Sequence, residues 1–536
     1  MNEYFLTNPY PSQRMCTFAK NGMVATSQPL ASQAGLDILK KGGNAIDAAI
    51  ATAACLTVVE PTSNGIGGDA FALVWVNNEL YGLNASGQAP ASLSIDALNK
   101  KGITEMPAHG FTPVTVPGAP SAWVALSKRF GRLPLKEVLE PAISYAQEGY
   151  PVSPVLGYNW NVAYEKFSGC LKGEEFASWF ETFGIDGRSP KIGDVWSSAD
   201  HAATLLEIAE TEGGSFYRGA IADKIDAFSK KYGGFIRKKD LASYTPEWVQ
   251  PISVSYRGYD VWEIPPNGQG LVALLALNTL KGFSFDAKDS VDTYHKQIEA
   301  MKLAFADGQK FITDSRKMSI SVKDVLNDAY AAKRRALIGE KAIVPKAGQP
   351  AHSGTVYLAT ADSEGNMVSF IQSNYTGFGS GLVVPGTGIA LQNRGHNFSL
   401  DPTHDNRLEP GKKTYHTIIP GFLTKGDQPV GPFGVMGAFM QPQGHVQVIM
   451  NMIDFNLNPQ SALDAPRWQW INEKTVLVEK EMPSHIVEAL ERKGHDVKVA
   501  TSRHSFGRGQ IIRRDEKTGV LYGGTESRTD GAVSAY

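Results

Sequence analysis

Hydrophobic periodicity changes near residue 350, and that change most limits what this chain can fold into. Upstream, apolar residues recur mostly at helical spacing: 131–150 and 290–312 read as amphipathic helices, and 195–245 as mostly helical with a polar surface. A helical pattern over 23–43 (Leu30, Ala34, Leu36, Leu39) stops at Gly42-Gly43. Asn44 can then cap a nearly all-apolar helix over 45–59, the pattern of a helix buried on every side. A glycine-dense turn, Asn64-Gly-Ile-Gly-Gly-Asp69, leads into strands at 70–76 and 80–83, and 265–270 is a loop before an apolar helix over 271–280. Segment 340–354 is rich in Gly, Pro and Lys and has no period. Beyond it the pattern is β: 355–361 alternates, 362–366 is a turn, and 367–372 completes a hairpin. Strands follow at 389–392, 417–423 and 430–435, with a helix over 445–455.

Composition narrows the function classes. The 536 residues are 42% hydrophobic and 20% charged, which excludes a disordered chain. Lys and Arg number 52 against 54 Asp and Glu, with no basic stripe, so no nucleic-acid partner is expected. Cys16, Cys55 and Cys170 lie far apart, which argues against both a disulfide scaffold and a Cys-based zinc site. The longest apolar run, 48–59, is too short for a bilayer, and the first sixteen residues do not read as a signal peptide; a cytoplasmic protein without membrane partners is expected. The eleven histidines are scattered. No metal and no cofactor is expected, and homo-oligomer formation is left open.

The nucleophile elbow, the zinc-protease motif, the P-loop and a complete dinucleotide fingerprint are all missing. Gly377-Phe-Gly-Ser-Gly381 reads as a turn between strands. At Ser353-Gly354-Thr355 a hydroxyl residue starts a strand after the aperiodic segment. Were the Gly354–Thr355 peptide cut, Thr355 would carry an α-amine with a pKa of about 7.7–8.0 beside its own hydroxyl, a general base within one residue. Pattern alone favours an ordinary loop-to-strand boundary.

Longer stretches reverse that balance. Met23-Val-Ala-Thr-Ser-Gln-Pro-Leu-Ala-Ser-Gln-Ala-Gly35, Gly42-Gly-Asn-Ala-Ile-Asp-Ala-Ala49, Glu60-Pro-Thr-Ser-Asn-Gly-Ile-Gly-Gly68, Val116-Pro-Gly118, Ala304-Phe-Ala-Asp307 and Ala465-Pro-Arg467 occur in order. With them the chain resembles the γ-glutamyltransferase (glutathione hydrolase) family, in its cephalosporin-acylase-like branch, over roughly residues 20–530. The resemblance implies an α+β fold, the αββα four-layer sandwich of N-terminal-nucleophile hydrolases. It implies a zymogen that cuts itself into a large subunit, 1–354, and a small subunit, 355–536, intertwined in one structural domain. Thr355 would be nucleophile and α-amino base, Gly354 and Thr355 the cleavage pair, and Ser373 the hydroxyl that supports the nucleophile. Backbone N–H groups of Met440 and Gln441 would form the oxyanion hole.

The substrate clamp departs from the family pattern. The family's carboxylate-binding Arg position is Ser86 here, its Ser-Ser pair is His416-Thr417, its ammonium-binding Asp is Asn397, and a nearby Asn and Gln are Tyr375 and Arg394. Arg394 or a protonated His416 could rebuild a carboxylate site. The short stretch between Ser399 and Pro410 implies a more open pocket. The first reading is a self-processing Thr amidohydrolase of γ-glutamyl amides in glutathione metabolism. The second is an acylase for glutaryl-like side-chain amides, and the third a non-catalytic binding protein on the same fold. In the first two the partner is a small-molecule amide.

Overall fold

The computed structural model describes residues 14–345 and 355–536. Segment 346–354, including Gly354, lies outside the described residues.

Two seven-stranded sheets lie face to face. One runs in the order Ala532–Ala535, Gly22–Thr26, Val356–Asp362, Met367–Ser373, Asp69–Val76, Glu79–Ala85, Glu247–Val249; the other Thr17–Ala19, Leu521–Thr525, Arg508–Arg514, Gln428–Met436, Gly421–Lys425, Tyr259–Glu263, Ile252–Tyr256. Each of these two sheets draws strands from both sides of residue 350, so neither is complete without both halves of the chain. The central strands are buried on both faces, which explains their continuous apolar runs. The inter-sheet core includes Phe71, Tyr357, Ile371, Phe422 and Ile512. Close approach is set at Gly434, where a Cβ would come within 2.4 Å of the Tyr357 ring. Helices cover both outer faces. Ala45–Val59 packs on the first sheet, Gly270–Leu280 and Met440–Ile453 lie on the second, and Val291–Phe311 packs on Gly270–Leu280. Among the described residues no helix is long and apolar enough to cross a membrane.

Most expected elements are present. Asn44 caps Ala45–Val59 through a capping box with Asp47. The hairpin is Val356–Asp362 and Met367–Ser373; the Asp362 carboxylate accepts the N–H groups of Glu364 and Asn366, which fixes its turn. Two readings are corrected. Residues 22–26 are a strand, and the helix begins only at Pro29, because Gln28 caps it. Residues 417–420 are not strand, because Thr417 and Ile418 give their backbone to the site loops rather than to a ladder.

Candidate active site

Thr355 lies fully buried at the start of its strand, and its hydroxyl donates to Ser373 Oγ at 3.2 Å. Hairpin register makes this contact: Val356 faces Gln372, so Thr355 faces Ser373, the last residue of the partner strand. Ser373 Oγ also accepts the Tyr375 N–H at 2.8 Å, which fixes the hydroxyl and turns the chain away from the sheet. Tyr375 takes a left-handed backbone, φ 78°. On the other side Ser373 pairs with Asp69. Gly68 allows this approach, since a Cβ there would lie 2.7 Å from Ser373 O and from Asn374 Oδ1.

Arg394 follows in the short helical turn Arg394–Asn397. It is 1% exposed, and its guanidinium lies 4.4 Å from the Tyr375 ring centroid. Nη1 donates to Thr417 Oγ1 at 2.7 Å, while Nε and Nη2 have no hydrogen-bond partner among the described residues. Burial pushes its pKa down to about 10, against the attraction of Asp69. The structure thus brings Tyr375, Arg394 and Thr417 together, with Asn397 ending the same short helical turn as Arg394. The Asn397 amide donates to Tyr415 O at 3.1 Å.

His416 is not the cation that the sequence allows. Its Nε2 sits 3.0 Å from Asp69 Oδ2 and its Nδ1 accepts the Ile418 N–H at 3.4 Å, so both ring nitrogens are engaged. Burial, with Arg394 and Lys413 nearby, drives its pKa well below the usual value, and it is a neutral donor. Ser86 is also committed elsewhere: its hydroxyl donates to Asn84 Oδ1 at 2.7 Å and lies against Asn267. The Met440 and Gln441 N–H groups donate to Gly437 O (2.9 Å) and Ala438 O (3.1 Å) in a tight first helical turn. They are not idle donors; an oxyanion would have to share them, as N–H groups at helix ends often are shared. The helix Met440–Ile453 still directs its positive end to this corner.

Asp69 and Gln269 escaped the sequence reading. The Asp69 carboxylate accepts from Gly87 N, His416 and Gln392, and Gln392 accepts the Arg394 N–H. Desolvation raises the Asp69 pKa to about 7, against the pull of Arg394 and the Gly87 N–H. Its signal was an acid placed between Gly-Gly and an all-apolar strand. Gln269 donates to Thr417 O (2.6 Å) and Ala438 O (2.8 Å), tying the Arg394 neighbourhood to the turn before Met440.

The profile of the gamma-glutamyltranspeptidase family matches residues 31–536. The chain belongs to that family. It is 38% identical over 524 residues to the glutathione hydrolase-like YwrD proenzyme of Bacillus subtilis, covering 95% of this chain and 98% of that one. It is 33% identical to the oxamate amidohydrolase proenzyme of Klebsiella pneumoniae, covering 96% of this chain and 98% of that protein. Among solved structures, the cephalosporin acylase from Bacillus halodurans superposes with a TM-score of 0.97 at 65% identity, over 99% of this chain and 98% of that one. The fold is therefore the αββα sandwich expected from the resemblance, and the chain is an enzyme of the hydrolase and acyltransferase kind found in this family.

Proposed function

We propose that the chain is a self-processing Thr amidohydrolase, cut between Gly354 and Thr355 into residues 1–354 and 355–536, that cleaves amides of a small acid-terminated acyl group. The buried Thr355–Ser373 hydroxyl pair at the head of the hairpin carries this reading. In the precursor, Thr355 Oγ1 attacks the Gly354 carbonyl, the peptide N–C bond breaks, and water hydrolyses the resulting ester. In the cut enzyme the free Thr355 amine takes the hydroxyl proton as Oγ1 attacks the substrate amide. That proton passes to the leaving amine as the C–N bond breaks. Water then attacks the acyl ester and releases the acid, or an amine acceptor takes the acyl group. Thr355, Ser373 and shared N–H groups of Met440 and Gln441 are our candidates for the chemical steps.

The γ-glutamyl amides of the family suit this chemistry. The pocket favours the glutaryl-like alternative. Arg394 offers two unpartnered N–H groups to a carboxylate. Asn397, where the family carries Asp, brings no anion for an ammonium, and burying an ammonium unpaired is costly. Two relatives agree in kind: one is named for oxamate, an amide of a diacid without an amine, the other for acylase action on cephalosporins. Free Cys16, Cys55 and Cys170 suit a cytoplasmic setting.

The test is a denaturing gel followed by initial rates. Wild type should give two bands, with Thr355→Ala remaining whole. The glutaryl anilide should turn over at least as fast as the γ-glutamyl anilide. A single inactive wild-type band would leave a binding protein on this fold, and a strong γ-glutamyl preference would restore the glutathione reading.

A further inference from the structure

A buried Glu–His pair lies behind the site and takes no part in the steps above. His445 Nδ1 meets Glu263 Oε1 at 2.6 Å, and both residues are fully buried. Glu263 is the last residue of the strand Tyr259–Glu263. His445 stands on the helix Met440–Ile453, about 7.5 Å along its axis from Met440. A glycine makes room for the pair: a Cβ at Gly270 would lie 2.7 Å from Glu263 Cβ and 3.0 Å from its Oε2. Glu263 Oε2 and His445 Nε2 have no hydrogen-bond partner among the described residues.

The two elements that the pair joins frame the site from opposite sides. The loop 264–269 after Glu263 backs the strip 414–417. Asn267 O accepts the His416 N–H at 2.8 Å, Asn267 Nδ2 donates to Thr414 O at 2.8 Å, and Gln269 N donates to His416 O at 2.9 Å. Thr417, on that strip, holds Arg394. On the other side, Gln441 Oε1 accepts the Ile419 N–H at 2.9 Å, so the first turn of the helix Met440–Ile453 grips the same strip two residues on. Gln269 Nε2 closes the frame at the site end, on Ala438 O, and the Glu263–His445 bond closes it deeper in the fold. Stability does not account for the deeper bond. A buried pair of ionisable groups with polar atoms left over is generally matched or bettered by apolar side chains of similar size.

We propose that Glu263 and His445 are positioning residues, whose bond sets the first turn of the helix Met440–Ile453, with its candidate oxyanion N–H groups, against the strip that carries Thr417. They act through the backbone of that turn. With the Gln269–Ala438 bond they fix the helix at two points, so that it neither slides nor tilts past the strip. A shift of about 1 Å at such a donor is enough to slow a reaction on the order of tenfold to a hundredfold. For turnover, the inference rests on the amidohydrolase reading above.

The double variant Glu263→Met with His445→Leu tests it. Its Tm should equal or exceed that of wild type, while kcat on the glutaryl anilide falls about tenfold and KM stays near the wild-type value. Glu263→Gln, which keeps an acceptor for the ring, should turn over near the wild-type rate. An unchanged kcat in the double variant, or a fall in kcat matched by a fall in Tm, overturns the inference. Amide hydrogen exchange supplies a readout without substrate. The N–H groups of Ile419, Met440 and Gln441 should exchange faster in the double variant than in wild type, and equal exchange overturns the inference. If wild type turns over neither anilide, the amidohydrolase reading fails, and exchange decides the positioning role by itself. If the double variant does not fold, Glu263→Asp, whose shorter arm stretches the bond, is compared by the same exchange measurement: faster exchange at the three N–H groups supports the role, and equal exchange overturns it.

Discussion

Arg394 sits over the Tyr375 ring, its guanidinium 4.4 Å from the ring centroid, with one nitrogen on Thr417 Oγ1 and two left unpartnered. A cation this buried is held by the ring face, by the field of Asp69 and by a single hydroxyl. An incoming carboxylate could accept both remaining N–H groups at once. Arg394→Gln should lower kcat/KM for a glutaryl anilide by about 3 kcal/mol, on the order of a hundredfold, relative to a butyryl anilide. Arg394→Lys should recover only part, since a point charge cannot replace the planar fork. Steady-state rates on the two anilides decide it, and an equal loss on both would remove Arg394 from acyl recognition.

Asn397 is the candidate for a second specificity. Its side chain meets the Tyr415 carbonyl. Asn397→Asp would place an anion where a γ-glutamyl ammonium needs one. The ratio of γ-glutamyl to glutaryl turnover should rise about tenfold, the scale of one charge-assisted hydrogen bond. An unchanged ratio would mean that the ammonium does not reach this position.

Ser373 should matter to processing as well as to turnover. Its hydroxyl joins Thr355 Oγ1 to the Tyr375 N–H. Ser373→Ala removes that acceptor from the nucleophile's hydroxyl, so self-cleavage should slow on the order of tenfold to a hundredfold. Ser373→Thr, which keeps the hydroxyl, should process near the wild-type rate. A gel time course after rapid expression would show both.

The sequence made some of this arrangement legible and hid the rest, for physical reasons. The hairpin was readable because alternation and an Asp-x-x-Gly-Asn turn are local signals. Helix 45–59 was readable because its cap and apolar run are contiguous. Residues 22–26 were misread because a short strand buried on both sides has no period of its own. The His416–Asp69 pair joins residues 347 apart, and only the fold shows that the ring is neutral and both its nitrogens engaged. Ser86 sits at the family's Arg position, yet its commitment to Asn84 and Asn267 depends on a loop 181 residues away.

Asp69 gives a pH signature. Its folded pKa, about 7, exceeds the unfolded value of about 4. Between those values the folded state holds the proton that the unfolded state has released. Its contribution is full below about pH 4 and is lost as pH rises through 7. Asp69→Asn has no such loss, so the Tm difference between variant and wild type should shift in the variant's favour from pH 5 to pH 8. Calorimetry at the two pH values checks this. A constant difference would mean that Asp69 stays ionised throughout.

A buried network on the second sheet's helices anchors the chain shortly before residue 346. Lys302 donates to Glu299 Oε1 at 2.7 Å and to Ile343 O at 3.1 Å, and Glu299 Oε2 accepts the Ile343 N–H. His295 Nε2 faces the Gly339 carbonyl at 2.8 Å, which can only accept, so its Nδ1 takes a proton from His495 Nε2, 2.8 Å away. That leaves His495 Nδ1 as acceptor toward Lys302, 3.5 Å off. His295, Glu299 and His495 could gather around a metal ion, but the Lys302 ammonium already supplies the positive charge there. Lys302→Met would leave the Glu299 carboxylate buried and uncompensated, and should cost about 3–5 kcal/mol in denaturant unfolding. The double variant Glu299→Gln with Lys302→Met should recover part of that loss. The network also has a pH sign. Burial and the Lys302 charge lower the His495 pKa to about 3, below the usual 6.5, so the unfolded chain takes up the proton first. Stability should therefore fall as pH drops from about 6.5 toward 3, and His495→Gln should flatten that slope. An unchanged slope would mean that other groups govern acid unfolding.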